Sequence, residues 1–397
     1  MARVSKLDVL KLSEDVESVY MGVVDQLIKN IAKHFASGHD WELAKWEVRK
    51  ITELNAVADE NAKIINAGTK TVPKKIAEAV ARVSGLALAD VEMAIQKAIN
   101  EGALSALPES RVGTVLEDLA GQAIDQANLV NTVMLDSSKT AFLQVINDTV
   151  FYEEQALFAT EKAEILREMG EYTYSVASGV ETRMQALQRA ISNMADRGIY
   201  GFVDRGGHHW SPEAYINMDI RTTLHNTAIQ TIKRRQEDFG SDIFQVSTHA
   251  GARPLCYPYQ GKFYSWGGDE GEFTDGNGRK HRYRSIRDTS YGEPAGLFGI
   301  NCGHYPLPQI PRVTIPSNDK REKKDENEKE YLESQKQRAL ERSIREVKRK
   351  QLAYEMAGLD DAAKDMGKII RNRQAIMRDF ISKTGRARRY DRESIGG

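Results

Sequence analysis

The chain is poor in cysteine, with two among 397 residues. Two thiols cannot build a disulfide framework, so a reducing compartment is expected, and a pair of buried thiols is the plain reading. No run of about 18 apolar residues occurs, so no membrane-spanning segment is expected. The N-terminal stretch turns acidic at Glu14 and Asp15 before an apolar core forms, so no secretion signal is expected. A surplus of either charge is also missing. The 56 basic and 57 acidic residues nearly cancel, so no global field draws the chain to nucleic acid or membrane. Aromatic residues are few, at 8%, which fits a folded protein with a modest core.

Locally the charges do separate. Residues 317–397 hold 22 basic and 16 acidic side chains, leaving 34 and 41 for the rest. Near the end, Arg371, Arg373, Arg378, Lys383, Arg386, Arg388, Arg389 and Arg392 face few acids. Alternating signs before residue 350 are those of a solvated helix. Arginine suits bidentate phosphate contact, so the basic end is a candidate for nonspecific, salt-sensitive contact with DNA.

The first 200 residues read as helix. Ser13 is the expected N-cap of a first helix, with Val16, Val19, Tyr20, Val23, Val24, Leu27, Ile28 and Ile31 at helical spacing. A second helix is expected from Trp41, capped by Asp40 and stopped by Gly68. Two shorter helices are expected after Pro73, separated at Ser84-Gly85, and then a loop over 102–108. Breakers are scarce from Thr114 to Asn193, where two or three long helices are expected, with Gly121 and Gly170 as tolerable interruptions.

Glycines between 198 and 210 predict a short hairpin, and Ser211-Pro212-Glu213 opens a helix reaching about Arg235. Short strands are expected at 243–247 and 262–266, and a hairpin about Asp275-Gly276-Asn277-Gly278. Together they predict a small antiparallel sheet. Pro306, Pro308, Pro311 and Pro316 predict an extended exit. Two charged helices should follow, the first to about Ala357, the second capped by Asp360 and ending before Gly385. The fold class is α+β. Three domains are expected: a helical region over 1–197, a central α+β module over 198–311, and a charged helical tail over 312–397.

Both cysteines and three of the eight histidines lie between Ser247 and Pro308. His249, Cys256, Cys302 and His304 form a candidate cluster. Zinc takes cysteine and histidine in tetrahedral geometry, but neither pair has the Cys-x-x-Cys form, so zinc and buried thiols with hydrogen-bonded histidines both stay open. The same stretch admits a catalytic reading, a nuclease or transferase using His249 or His304 as base with Arg253 and Lys262 on a phosphate-like charge. No glycine-rich phosphate cradle accompanies it. His208-His209-Trp210 reads as a surface turn, and Arg221 as a structural ion pair with Asp204 or Asp219.

The series Ser-Thr-His-Ala-Gly-Ala-Arg-Pro-x-Cys (247–256), Gln260-Gly261-Lys262, Tyr291-Gly292 and Gly-Leu-x-Gly-Ile-Asn-Cys-x-His (296–304) resembles the phage minor capsid protein 2 family. That family is akin to the MuF-like head morphogenesis proteins of tailed phages. Trp210, Tyr215, Arg221-Thr222, Asn226 and Asn301 fit the same pattern. Tyr259 stands where such relatives often have a second cysteine of a Cys-x-x-Cys pair, and Gly303 separates Cys302 from His304. The resemblance implies a non-enzymatic virion component near the portal vertex inside the head, made in the host cytoplasm and present in several copies. It implies a role in head morphogenesis and DNA packaging or delivery. Its implied partners are the portal protein, the major capsid or scaffolding protein and packaged DNA, with no membrane required.

Overall fold

The structure is a computed structural model that describes residues 4–38, 40–104, 110, 112–168, 183–197, 199, 202–203, 207 and 209–395. In chain order the elements are α1 (Lys6–Lys33), α2 (Leu43–Thr69), α3 (Val72–Asn100), α4 (Gly113–Glu168), α5 (Arg183–Arg197), β1 (Phe202–Val203), β2 (His209–Trp210) and α6 (Pro212–Asp238). They continue with β3 (Ile243–Val246), β4 (Phe263–Ser265), β5 (Gly271–Thr274), β6 (Lys280–Ser285), β7 (Pro306–Pro308), α7 (Lys324–Met356) and α8 (Asp360–Thr384). The α+β class is as expected. Residues 105–109, Gly170, Asp204 and His208 lie outside the described residues.

Several expected boundaries are corrected. The start of α1 is set by Ser5, not Ser13. The Asp8 amide donates to Ser5 Oγ at 3.3 Å, and Asp8 Oδ2 accepts from the Ser5 amide at 3.0 Å, a reciprocal cap. Ser13 is a buried mid-helix residue whose hydroxyl donates to the Leu10 carbonyl. Helix α2 begins after Glu42, without a side-chain cap from Asp40, and runs through Gly68. A Cβ on Gly68 would lie 2.4 Å from Val23 Cγ2, so glycine is there because α1 crosses at close range. That packing outweighs the helix penalty of about 1 kcal/mol. Helix α3 is continuous through Ser84 and Gly85. The Ser84 hydroxyl lies 3.2 Å from the Thr231 hydroxyl, a buried polar pair between helices instead of a break. For α8 the N-cap is Leu359, with Asp360 in the first turn. Its end at Gly385, with φ 69°, is as expected.

The chain forms two compact units, each assembled from three segments. The first comprises 1–17, 71–128 and 214–336 and holds the five-stranded sheet, in the order β5-β6-β4-β3-β7. The sheet is mixed rather than antiparallel: β4 pairs with β6 in parallel, because β6 returns from the β5 edge to lie beside β4. The expected proline-rich exit is edge strand β7, registered with Leu307 opposite Gln245. Proline lacks an amide donor and is confined to such edges. The β5–β6 hairpin forms as expected, with Asp275 Oδ1 accepting from the Asn277 and Arg279 amides at 2.8 and 2.9 Å. Phe244 stacks on Trp266 at 4.2 Å and anchors an apolar cluster with Ile229, Val246, Ile286, Leu297 and Phe298. Helices α3 and α6 are tied by Arg235, whose guanidinium meets Glu92 at 2.5 Å and Asp238 at 3.4 Å.

The second unit comprises 18–70, 129–213 and 337–397 and is almost wholly helical. Phe35 packs against Phe142 and Trp46, with ring centroids 5.0 and 6.1 Å away. Buried amides are paired: Asn30 donates to Asn61, and Asn61 donates to Ser138 Oγ. The Arg349 guanidinium bridges the carboxylates of Asp25 at 2.7 Å and Glu213 at 2.6 Å. Burial alone would raise the Glu213 carboxyl, but Arg349 outweighs it and holds it below its usual range. The short β1–β2 pair, Phe202 opposite Trp210, is the hairpin expected there. Among the described residues no helix is long and apolar enough to cross a membrane.

Candidate functional site

Two loops and one helix of the sheet-bearing unit converge on the cysteines. The first loop leaves β3 and reaches Cys256 at the start of a 3-10 turn over Tyr257–Tyr259. Cys256 and Tyr257 both donate their amides to the Arg253 carbonyl at 2.9 Å, which closes that turn. The second loop runs from Ser290 to β7 and carries Cys302 and His304. It is wound so tightly that a Cβ on Gly296 would lie 1.8 Å from the Ser290 carbonyl oxygen, and one on Gly299 2.5 Å from that of Pro294. Asn301 sits at φ 59°, a left-handed conformation that asparagine tolerates better than most residues. Ser290 joins the loops, donating its hydroxyl to the Leu255 carbonyl at 2.9 Å and accepting from the Leu297 amide at 3.0 Å.

Within this frame Cys256 Sγ lies 3.8 Å from Cys302 Sγ, and Cys302 Sγ lies 3.3 Å from His304 Nδ1. Among the described residues, these three donor atoms form a group within 4.8 Å of one another. Both thiols are free and buried. His249 joins through its ring, which packs against His304 with centroids 4.3 Å apart and planes 34° from parallel, and its Nδ1 faces the Ala250 carbonyl at 2.9 Å. All four expected cluster residues therefore meet.

A fifth residue, His225 on α6, was not foreseen. It is buried, its ring lies 4.9 Å from Tyr305, and it helps hold down the Cys302 thiol. Its only sequence signal is its spacing from the buried Ile229 and Ile232 on the inward face of α6, which a core residue shares.

The electrostatics divide the two thiols. Cys256 and Cys302 share a hydrogen bond in which either thiol can be the donor, and this contact, with burial, pushes the Cys256 thiol up. The same hydrogen bond pulls the Cys302 thiol well below its usual value, against burial and with help from His225 and His304. Burial, then the electrostatic influence of the neighbouring His304 and Lys6, lowers His249 to about 3, so its ring is neutral at physiological pH.

The remaining motif residues act mainly as framework. Gln260 is buried and accepts the His249 amide at 2.8 Å. Gly261, at φ 74°, donates its amide to the Val246 carbonyl. Arg253 Nη2 reaches Cys256 Sγ at 3.9 Å, while the Lys262 side chain is exposed. Arg221 bears on Tyr305, and Asp219 on Tyr215, while burial pushes the Asp219 carboxyl up to about 6. Asn226 is half-buried on α6 and Trp210 lies in β2. Asn327, which the motifs did not suggest, clamps Ala252 through two hydrogen bonds of 2.7 Å.

Most of the basic end is engaged inside the helical unit. Arg388 pairs with the buried Glu393, Arg386 donates to Gln337, Arg389 meets Asp391 and Lys383 meets Asp379. Arg373 donates to the Ser343 carbonyl, and Arg392 is partly buried. Arg371 and Arg378 are exposed.

Comparison with known proteins matches the chain to the family described as phage minor capsid protein 2, over residues 6–167 and 167–382. A structural protein of Lactococcus phage LL-H is 26% identical over 381 residues, spanning 94% of this chain and 95% of its own length. A structural protein of Lactococcus phage mv4 is 35% identical over 119 residues, which is 29% of this chain and 93% of that protein. No solved structure matches.

Proposed function

The chain belongs to the phage minor capsid protein 2 family, and from that premise we propose that it is a portal-associated minor capsid protein of the virion, acting in head morphogenesis and in DNA packaging or delivery. The observation that carries this reading is the extent of the family likeness, which runs through the helices and the sheet alike. In this account helices of residues 1–197 dock on the portal or line the head. The 198–311 module is an interaction domain, and the exposed cations of the 312–397 tail touch packaged DNA.

The Cys256–Cys302–His304 cluster serves the module as a tie between loops. His304 is 1% exposed and Cys302 8%, whereas a general base or nucleophile must reach its substrate. This favours the structural reading over a nuclease or transferase using His249, Arg253, Lys262 and His304. Chemical cross-linking of purified virions followed by mass spectrometry tests the proposal. Cross-links to the portal protein are expected. Absence of the chain from filled particles, or DNA cleavage by the pure protein that His249→Ala abolishes without unfolding, overturns it.

A further inference from the structure

We propose that Cys256, Cys302 and His304 are three ligands of a site for a zinc-class divalent cation. The inference rests on this chain's own residues and not on the virion reading, so either can fail alone.

The distances favour coordination over simple contact. Zinc–sulfur bonds of about 2.3 Å and zinc–nitrogen bonds of about 2.0 Å place tetrahedral ligands roughly 3.8 Å apart for two sulfurs and roughly 3.5 Å for sulfur and nitrogen. The observed Sγ–Sγ and Sγ–Nδ1 separations are 3.8 and 3.3 Å. Three donors thus already stand close to the corners of one tetrahedron.

His225 supports this group from α6: it is buried, and its hydrogen bond to the Cys302 sulfur helps hold that thiol down. His249 is a second support: its Nδ1 is engaged by the Ala250 carbonyl, and its ring packs at a tilt against His304.

Charge and softness agree. Two thiolates balance a divalent cation, which removes the cost of burying either alone. Thiolate and imidazole donors select zinc over magnesium or calcium. The loops that carry the donors are fixed by Ser290, Gln260 and Asn327, so the site is organised before any ion arrives.

Metal analysis of the full chain, purified under reducing conditions without chelator, tests this directly, with about one zinc per chain expected. Cobalt(II) in place of zinc should give thiolate charge-transfer absorption and the intense visible bands of a tetrahedral site, a readout on the unaltered protein. Cys256→Ser and Cys302→Ser should abolish the charge-transfer band, and His225→Ala should weaken binding by at least about tenfold while His249→Ala retains the ion. Protein free of metal even after exposure to zinc or cobalt, or an intramolecular Cys256–Cys302 disulfide in freshly isolated material, overturns the site. Full occupancy and unchanged affinity in folded His225→Ala overturns the supporting role given to that residue.

Discussion

His249 and His304 pack ring against ring across Gly303, and the missing side chain between them is what lets them meet. A Cβ at Gly303 would lie 2.9 Å from His249 Nε2 and 2.7 Å from Lys6 Cδ. Lysine can swing aside, but the His249 ring is held by the Ala250 carbonyl and by His304. Gly303→Ala should therefore cost about 1–3 kcal/mol, as overpacking of a tight site does. Urea denaturation followed by circular dichroism measures it. Gly278→Ala, where a Cβ meets nothing but φ is 78°, separates steric crowding from backbone strain.

The Arg349 bridge predicts a larger loss in the helical unit. Asp25 is fully buried, and Glu213 nearly so. Arg349→Ala leaves two buried carboxylates without their cation, at a cost of about 3–5 kcal/mol. Changing all three residues to apolar ones should recover much of that loss, since the charges are then absent instead of uncompensated. Comparing the single and triple variants by chemical denaturation checks both statements.

Asp219 predicts a pH dependence of stability. Burial raises its carboxyl from 3.8 to about 6 in the folded chain. The folded state thus binds its proton more tightly than the unfolded state. Its contribution is fully present below the unfolded value and is lost as pH rises through about 6. Asp219→Asn should be more stable than the parent at pH 7, on the order of 1 kcal/mol after allowance for partial exposure, with the gap closing toward pH 4. Thermal melts of both proteins across that range give the test.

The basic end predicts two classes of variant. Arg371 and Arg378 are exposed, while Arg388 makes a bidentate pair with the buried Glu393. Arg371→Glu with Arg378→Glu should leave thermal stability unchanged, weaken DNA binding and flatten its salt dependence. Arg388→Ala should lower stability instead, by about 3 kcal/mol or more, because it strands a buried carboxylate. Melting curves and binding isotherms at several salt concentrations separate the two.

Much of this architecture was legible in the residues, and the failures share one cause. Turn chemistry placed the Asp275–Gly278 hairpin, Pro212 opened α6, and Gly385 closed α8. Cysteine and histidine types located the loop cluster. What local signals could not give was the partner across space. Gly68 reads as a stop until Val23 is seen against it, and Ser84 reads as a break until it meets Thr231. The same holds for the sheet: the hairpin is written in its turn, but which of its strands pairs with β4 is decided by packing. His225 was missed for this reason too, since an inward histidine on a helix looks like core until the thiols arrive beside it.

The central claim is that this chain is built into the phage head at the portal vertex. An asymmetric cryo-EM reconstruction of that vertex, from particles carrying the chain with an epitope tag decorated by antibody fragment, tests it most directly. The account predicts tagged density inside the head, in contact with the portal ring. Filled particles with label confined to the tail, or with none, would contradict it.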